Sequence, residues 1–328
     1  MNRLLRYFCR GAAAAGMLFM LQPALAQDYP AKQIICIVPT EAGGDGDLLV
    51  RALFEGVSAR LGRPIVVVNK PGAAGSAGYR EIHDARPDGY TIGLAFPTLY
   101  MNKMQGFLPW DHHDFTLIAQ HGSFTPIMVA SAKSAQPLKS LKEVIAQARA
   151  RPGEVKFALS VVGGSWWMAG LLLQSSTKTV FKNIPQEGSG AVVIAQLAGG
   201  HTDVGVSGLA TAMSQIDAGN LHLIATFGRE RIPGKFSHVP TVLESGFDVV
   251  WDSPNFIVGP PRMPRPVVEK LMKAIEAEAN RPEYRKAVLN VNGTPFYQPG
   301  EALLAYLEKQ KEVSRDILQK NGVLKDNK

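Results

Sequence analysis

The chain has 328 residues, of which 46% are apolar and 19% charged, and its formal net charge is +7. These values are those of an ordinary globular protein rather than a disordered chain, and the length favours two domains. The excess of basic residues is mild and scattered along the chain, which argues against a nucleic-acid-binding protein.

The first 26 residues predict a secretory signal peptide. Arg3, Arg6 and Arg10 precede an apolar segment, and Ala24-Leu25-Ala26 is a small-residue cleavage site. The apolar segment is about half as long as the ~20 residues of a membrane span, so a retained anchor is the less favoured alternative. Cleavage after Ala26 would lower the net charge to +4, because the leader carries three arginines and no acidic residue.

Residues 33–62 predict a strand, a glycine turn and a helix. An apolar run at residues 34–38 leads into a small-residue turn at 40–47, and apolar residues then recur at helical spacing up to Gly62. Such a turn directs unpaired backbone N–H groups and the positive end of a helix dipole at one point, where an anion is stabilised. Cys36 lies in the apolar strand, so we expect a core residue and no intramolecular disulfide.

The same order of strand, glycine loop and helix recurs in the next segment. Residues 64–68 are a β-branched run, residues 69–78 a glycine-rich loop, and residues 90–95 a third strand. Strands that alternate with helices predict a parallel sheet whose carboxyl ends carry the binding loops. Phe96 and Thr98 would then lie in a third loop at that edge.

A second set of elements begins with a strand at residues 126–130. Residues 155–159 form a strand followed by a glycine loop in which Ser165 is placed to cap the next helix. Trp166 and Trp167, at the start of that helix, either line a pocket wall or pack in the core. Residues 183–191 repeat the pattern of strand, glycine loop and helix.

These glycine loops lack the signatures of nucleotide sites. No phosphate-loop sequence is present, and residues 44–49 begin like a dinucleotide fingerprint but lack its third glycine. Asp45 and Asp47 in that loop would also repel a pyrophosphate. Adjacent His112 and His113 point in different directions on most backbones, so we expect a solvated loop there and no metal site.

A serine hydrolase is the enzyme alternative. Residues 205–209, around Ser207, differ from a nucleophile elbow in the last glycine, which the tight turn requires. His201 and Asp203 precede the serine, whereas the acid and the histidine follow it in α/β-hydrolases. We therefore expect no enzyme activity.

Seven short motifs follow one another along the chain. They are Val-Pro and Gly-Gly with Asp within residues 38–47, Asn-Lys-Pro-Gly-Ala-Ala-Gly at 69–75, Pro-Asp-Gly-Tyr-Thr at 87–91, Gly-Ser-Gly-Ala at 188–191, Gly-Gly-x-x-Asp at 199–203, Ala-Gly-Asn-Leu at 218–221, and Val-Pro-Thr with Glu-x-Gly at 239–246. In this order they resemble the Bug family, the periplasmic substrate-binding receptors of tripartite tricarboxylate transporters. The resemblance covers nearly all of the chain beyond the leader.

The resemblance implies an α/β, two-domain type II periplasmic-binding-protein fold. Each domain would be a mainly parallel sheet flanked by helices, with domain I at residues 27–122 and 253–328 and domain II at 123–252. A receptor of this kind closes on one small organic carboxylate in the periplasm and delivers it to membrane permease subunits, without catalysis, cofactor or metal. We expect a monomer; a ligand sensor for a signalling partner shares this fold and stays an alternative.

Carried over to this chain, the resemblance implies a ligand site formed by loops of both domains. Its residues are Thr40, Ala42, Gly43, Gly44, Asp47, Gly75 and Ser76 from one domain and Ser160, Gly164, Ser165, Gln186, Glu187 and Ser207 from the other. Phe96, Thr98 and Trp166 are added because they lie in loops at the same edge. Asp47 is expected to cap its helix rather than contact an acid, which its charge would repel.

The chain departs from the family where the ligand would bind. Thr40 stands where Phe is usual, Trp167 where His is usual, and Gln186-Glu187 where Tyr-Lys is common. We infer a less basic, more aromatic pocket. Our hypothesis is a ligand with a ring or an apolar body, carrying an amine that Glu187 could meet; Glu187 as a solvated loop residue is the alternative.

Overall fold

The computed structural model describes residues 29–186, 190–291 and 293–325. The predicted leader and Glu187 therefore lie outside the described residues. Within the described residues, no helix combines the length and apolarity needed to cross a lipid bilayer.

The strands, numbered in chain order, are β1 (Ile34–Val38), β2 (Ile65–Asn69), β3 (Thr91–Ala95), β4 (Thr116–Phe124), β5 (Ile127–Ser131), β6 (Lys156–Leu159), β7 (Lys182–Pro185), β8 (Val204–Ser207), β9 (Leu221–Thr226), β10 (Ser253–Gly259), β11 (Gly293–Thr294) and β12 (Gln298–Pro299). The α-helices are α1 (Asp45–Leu61), α2 (Ser76–His83), α3 (Thr98–Met104), α4 (Leu141–Ala150), α5 (Ser165–Thr177), α6 (Gly190–Ala198), α7 (Leu209–Asp217), α8 (Arg265–Ala279), α9 (Pro282–Asn290) and α10 (Gly300–Lys320). Short 3-10 helices lie at Ala73–Gly75, His112–Asp114 and Gly234–Phe236.

The strands form two sheets. The first has the order β11-β4-β10-β3-β1-β2, with β12 also paired to β4, and the second has the order β7-β6-β8-β5-β9. Strand β1 is parallel to β2 and β3, and β6 is parallel to β7 and β8. Strand β10 is antiparallel to β3 and β4, and β5 is antiparallel to β8 and β9.

Both sheets are mixed, although most of their longer strands share a direction as expected. Strands β1–β4 share a direction and so do β6–β9, while β10 and the two-residue strands β11 and β12 run against the first set and β5 runs against the second. The chain leaves the first sheet between β4 and β5 and returns between β9 and β10, so β5 and β10 are each the first strand after a crossing. A strand that begins at the edge facing the other sheet can only run away from that edge. Strands β5 and β10 therefore run opposite to the strands that end there.

One buried apolar cluster joins the two sheets. It includes Phe256 of β10, Trp167 of α5 and Leu307 of α10. Helix α10 also holds the second crossing, since Gln310 Nε2 donates to the carbonyl oxygen of Asp252 at 3.0 Å. The C-terminal helix thus ties both sheets to the segment that connects them.

Two further apolar clusters cover the outer faces of the sheets. One packs α1 and α8 on the first sheet and contains Cys36, which is buried in β1 as predicted. The other packs α6 and α7 on the second sheet. Because each sheet is covered on both faces, its strands are apolar runs rather than alternating ones.

Helix α2 approaches the first sheet at Gly93 of β3. A Cβ at this position would lie 2.0 Å from Cδ1 of Ile82, a fully buried residue of α2, and 3.1 Å from the carbonyl oxygen of Ile37. The strand therefore accepts the helix only because the residue has no side chain.

We expect Gly93→Ala to lower the free energy of unfolding by about 1–3 kcal/mol, because the added methyl group overpacks the contact with Ile82. Urea unfolding followed by circular dichroism measures the change. The control is Leu48→Ala, at a side chain that is 49% exposed, where we expect a change within about 0.5 kcal/mol. Equal stability of Gly93→Ala and the wild type would contradict this packing.

Candidate functional site

Loops that follow the strands of the two sheets come into contact, and we call the region where they meet the crevice. A Cβ on Gly208, after β8, would lie 2.4 Å from Oδ2 of Asp45, at the start of α1. A Cβ on Gly163, after β6, would lie 1.7 Å from Nε2 of Gln105. Trp166 packs against the cores of both sheets. The predicted binding loops of the two sheets are thus brought together.

Four helices begin at this crevice with a glycine as N-cap. The N-caps of α1, α2, α5 and α7 are Gly44, Gly75, Gly164 and Gly208, and none of them makes a side-chain cap hydrogen bond. Helix α4 follows β5, which runs away from the crevice, and it is capped by the hydroxyl of Ser140. Helix N-termini without a cap of their own present backbone N–H groups to the crevice.

The first loop is held by a buried carboxylate. The backbone N–H of Gly43 donates to Oδ2 of Asp47 at 2.9 Å, and Arg51 and Asn69 donate to Oδ1 at 3.0 and 2.9 Å. Burial alone would raise the pKa of Asp47, but the hydrogen bonds from Arg51, Gly43 and Asn69 outweigh it and lower this pKa below its ordinary value. Asn69 also donates to the carbonyl oxygen of Thr40 at 3.1 Å, which fixes the other end of the loop.

This network corrects the expectation that Asp47 caps its helix as the N-cap residue. Gly44 is the N-cap, and Asp47 lies in the first turn and binds the backbone of the preceding loop. The Gly43 amide is therefore already used inside the protein, and the contribution of Gly43 is its left-handed φ of 81°. Ala42, Gly43 and Gly44 are exposed.

The second loop is closed by Ser76 and Asn102. The Ser76 hydroxyl donates to the carbonyl oxygen of Ala73 at 2.7 Å, and Asn102 Nδ2 donates to the carbonyl oxygen of Ala74 at 3.0 Å. Ala73 and Ala74 both have positive φ, of 46° and 54°, a conformation that costs alanine energy and that these hydrogen bonds hold in place. A side chain on Gly75 would meet the preceding strand, since its Cβ would lie 3.2 Å from Cβ of Pro39.

The third loop contributes Phe96 and Thr98. The Phe96 ring lies against the first turn of α1, where a Cβ on Gly46 would be 2.6 Å from its Cζ. The Thr98 hydroxyl is 2.8 Å from the hydroxyl of Tyr79. Both residues thus lie beside the first two loops, as predicted for the third loop of one edge.

The start of α5 is held from two directions. The Ser160 hydroxyl accepts a hydrogen bond from the backbone N–H of Trp167 at 3.0 Å. Ser165 is not the cap that the sequence predicted: Gly164 is the N-cap, and the Ser165 hydroxyl accepts from Trp251 Nε1 at 2.9 Å. Trp167 is buried in the core, so of the two tryptophans only Trp166 is half-buried at the crevice.

Ser207 and Trp166 meet at the first residue of α6. A Cβ on Gly190 would lie 2.6 Å from Oγ of Ser207 and 3.8 Å from Cδ1 of Trp166. Gln186, at the end of β7, is buried and donates to the carbonyl oxygen of Ile184 at 3.1 Å. Glu187 lies outside the described residues, so its predicted role stays a hypothesis.

Asp45 is a crevice residue that the sequence reasoning did not select. Burial raises its pKa to about 6, and a hydrogen bond with the hydroxyl of Thr211 in α7 acts in the opposite direction. The signal in the sequence was an acidic residue that directly follows a glycine loop and stands in the first turn of the predicted helix. Its partners Gly208 and Thr211 are more than 160 residues away, and only the tertiary fold brings them together.

His112 and His113 converge rather than point apart, contrary to the sequence prediction. Their Nε2 atoms lie 2.6 and 2.7 Å from the same carboxylate oxygen of Glu308, because both stand in a tight 3-10 turn against α10. The Lys311 ammonium lies 3.7 Å from that oxygen and 2.9 Å from Oδ2 of Asp111. Hydrogen bonds and this ammonium account for the cluster, so we assign it no ligand.

We expect Asp47→Asn to lower the free energy of unfolding by about 2–3 kcal/mol. The side-chain NH2 group of asparagine is a donor, so it cannot accept the hydrogen bonds that Gly43, Arg51 and Asn69 donate to the carboxylate. Thermal unfolding at neutral pH measures the loss. The control is Asp217→Asn, which alters an exposed ion pair with Lys235 and should change stability by less than about 1 kcal/mol. Equal effects of the two substitutions would contradict the role given to Asp47.

We expect Trp251→Phe to cost about 1–2 kcal/mol, because it removes the hydrogen bond to the buried hydroxyl of Ser165. Ser165→Ala tests the same bond from the other side, and the double variant should lose less than the sum of the two single losses. Urea unfolding of all three variants gives the coupling. Strictly additive losses would show that the bond does not join α5 to the returning chain.

Comparison with known proteins identifies similar chains along nearly the whole length. The sequence profile of the family described as "Tripartite tricarboxylate transporter family receptor" matches residues 49–323. The chain is 31% identical to "Protein BugT" of Bordetella pertussis over 293 residues, which is 88% of this chain and 87% of that protein.

Solved structures show the same fold. A protein described as a periplasmic transporter is 27% identical and superposes with a TM-score of 0.81, over 91% of this chain and 100% of the other. R. palustris Rpa4515, described with adipate, is 21% identical with a TM-score of 0.82, over 90% of this chain and 99% of the other. The match to these proteins extends over both sheets.

Proposed function

Because the chain belongs to the tripartite tricarboxylate transporter receptor family, we propose that it captures a small organic carboxylate in the crevice and delivers it to a transporter of that kind. The family consists of periplasmic solute-binding receptors and not of enzymes. The fold is the two-domain type II fold of these binding proteins. The hydrolase alternative at Ser207 is therefore withdrawn.

The observation that carries this proposal is the set of glycine N-caps on both sides of one crevice. Backbone N–H groups at a helix N-terminus hydrogen-bond an anion, and the helix dipole adds a favourable field. Hydrogen bonds to a charged acceptor are roughly twice as strong as neutral ones. N-termini of this kind on both sides of one crevice suit a carboxylate better than they suit a neutral sugar or a cation.

The residues that we propose contact the ligand directly lie at the starts of α1 and α5. Ala42 and Gly44 are exposed in the first loop, and Trp166 offers a half-buried ring across from them. Asp47, Ser76 and Ser160 are committed to hydrogen bonds within the protein. We propose that these three position the loops rather than bind the acid.

We propose that the two sheets correspond to the two domains expected from the sequence, at residues 27–122 with 253–328 and at 123–252. The crossings between β4 and β5 and between β9 and β10 fall close to those limits. We also propose that the leader is cleaved after Ala26, that the protein acts in the periplasm as a monomer, and that permease subunits are its partners. Sensing for a signalling partner is the second candidate.

Native mass spectrometry of freshly purified protein tests the function. We expect a co-purified small acid, and added samples of that acid should raise the melting temperature. Trp166→Ala should weaken its binding at least tenfold, because the half-buried ring at the crevice is lost, whereas Trp110→Phe, away from the crevice, should leave binding unchanged. Stabilisation by sugars or cations but by no carboxylate would contradict the proposal.

A further inference from the structure

The N-terminus of α7 lies against an acidic side chain from a helix of the other sheet. Its N-cap residue, Gly208, has extended backbone angles and no side chain with which to bond the helix. The Asp45 carboxylate occupies the space of the missing side chain, because Oδ2 lies 2.4 Å from the position of a Gly208 Cβ. An acidic side chain of the lobe built on the first sheet thus lies at the start of a helix in the lobe built on the second sheet.

This position suits an anion. The first turn of a nine-residue helix offers unpaired N–H groups and the positive end of its dipole. The hydroxyl oxygen of Thr211, in the same turn, lies 3.8 Å from the same Cβ position. The Asp45 carboxylate therefore lies where the start of α7 favours an anion.

The filled position borders the space proposed for the ligand. Gly208 directly follows Ser207, and the Ser207 hydroxyl lies beside Gly190 and the Trp166 ring. A ligand held between the first loop and Trp166 would therefore lie close to Asp45, which directly follows Gly44. It would meet a negative charge and an aromatic ring there rather than a free helix N-terminus.

We propose that Asp45 is a specificity-determining residue that restricts the ligand to a single carboxylate, with a neutral or cationic group at its other end. The inference rests on the proposed function, since it presupposes that the crevice binds an organic acid. A second ligand carboxylate would have to displace Asp45 from α7 or lie against it, and like charges placed side by side repel each other.

Isothermal titration calorimetry with matched acids tests this inference. The probes are two pairs that differ in one carboxylate, hexanoate with adipate and benzoate with terephthalate. We expect the wild type to bind at least one monoacid, and to bind it at least tenfold tighter than its matched diacid. Asp45→Ala, which removes the charge and opens the position, should reduce that ratio below threefold.

Two further variants separate charge from folding and from general repulsion. Asp45→Asn keeps the shape of the side chain without its charge, so it should also reduce the ratio. It provides the test if the alanine variant folds poorly. Glu41→Ala removes an exposed charge of the same loop and should leave the ratio unchanged. A ratio that changes equally in Glu41→Ala and Asp45→Asn would overturn the role of Asp45.

The remaining outcomes distinguish this inference from the proposed function. A wild type that prefers a diacid, or a co-purified acid with two carboxylates, would overturn the role of Asp45 and leave carboxylate capture intact. If the wild type binds none of the four acids and co-purifies with no carboxylate, both proposals fail.

Discussion

The alignment of helix N-termini at one crevice is the constraint on which the rest of the structure depends. Strands β1–β4 and β6–β9 end at the edge where the two sheets face each other, so every helix that follows such a strand begins there. The glycine N-caps of α1, α2, α5 and α7 leave this edge free of capping side chains. The direction of the strands decides that the N-termini of the helices, rather than their C-termini, meet at the crevice. The proposed binding of an anion follows from this.

The protein satisfies part of this exposed backbone with groups from elsewhere in the chain. Asp47 binds the amide of Gly43, Ser160 binds the amide of Trp167, and Asp45 lies at the start of α7. The first two are contacts within one lobe and stabilise the loops. The third is a contact between the two lobes.

Several contacts join the two lobes near the segments that connect them. The second crossing runs through the apolar cluster that the sheets share, and α10 packs against the same cluster. Trp251 reaches from the returning chain to Ser165 at the start of α5. The chain that returns to the first sheet is thereby bonded to the start of a helix in the second lobe.

The sequence by itself determined most of the elements, the order of glycine loops and the family, because these depend on residues close together in the chain. Strand β4 and helix α3 were not among them, since the stretches that form them were read as loops. The apolar run around Cys36, the loop after it and the helix up to Gly62 were all readable from local spacing. The role of Ser165 and the convergence of His112 and His113 were not, because Trp251 and Glu308 lie far away in sequence. Only the tertiary structure decided that Asp45 lies at Gly208, since a contact between two lobes exists only once both are folded and face each other.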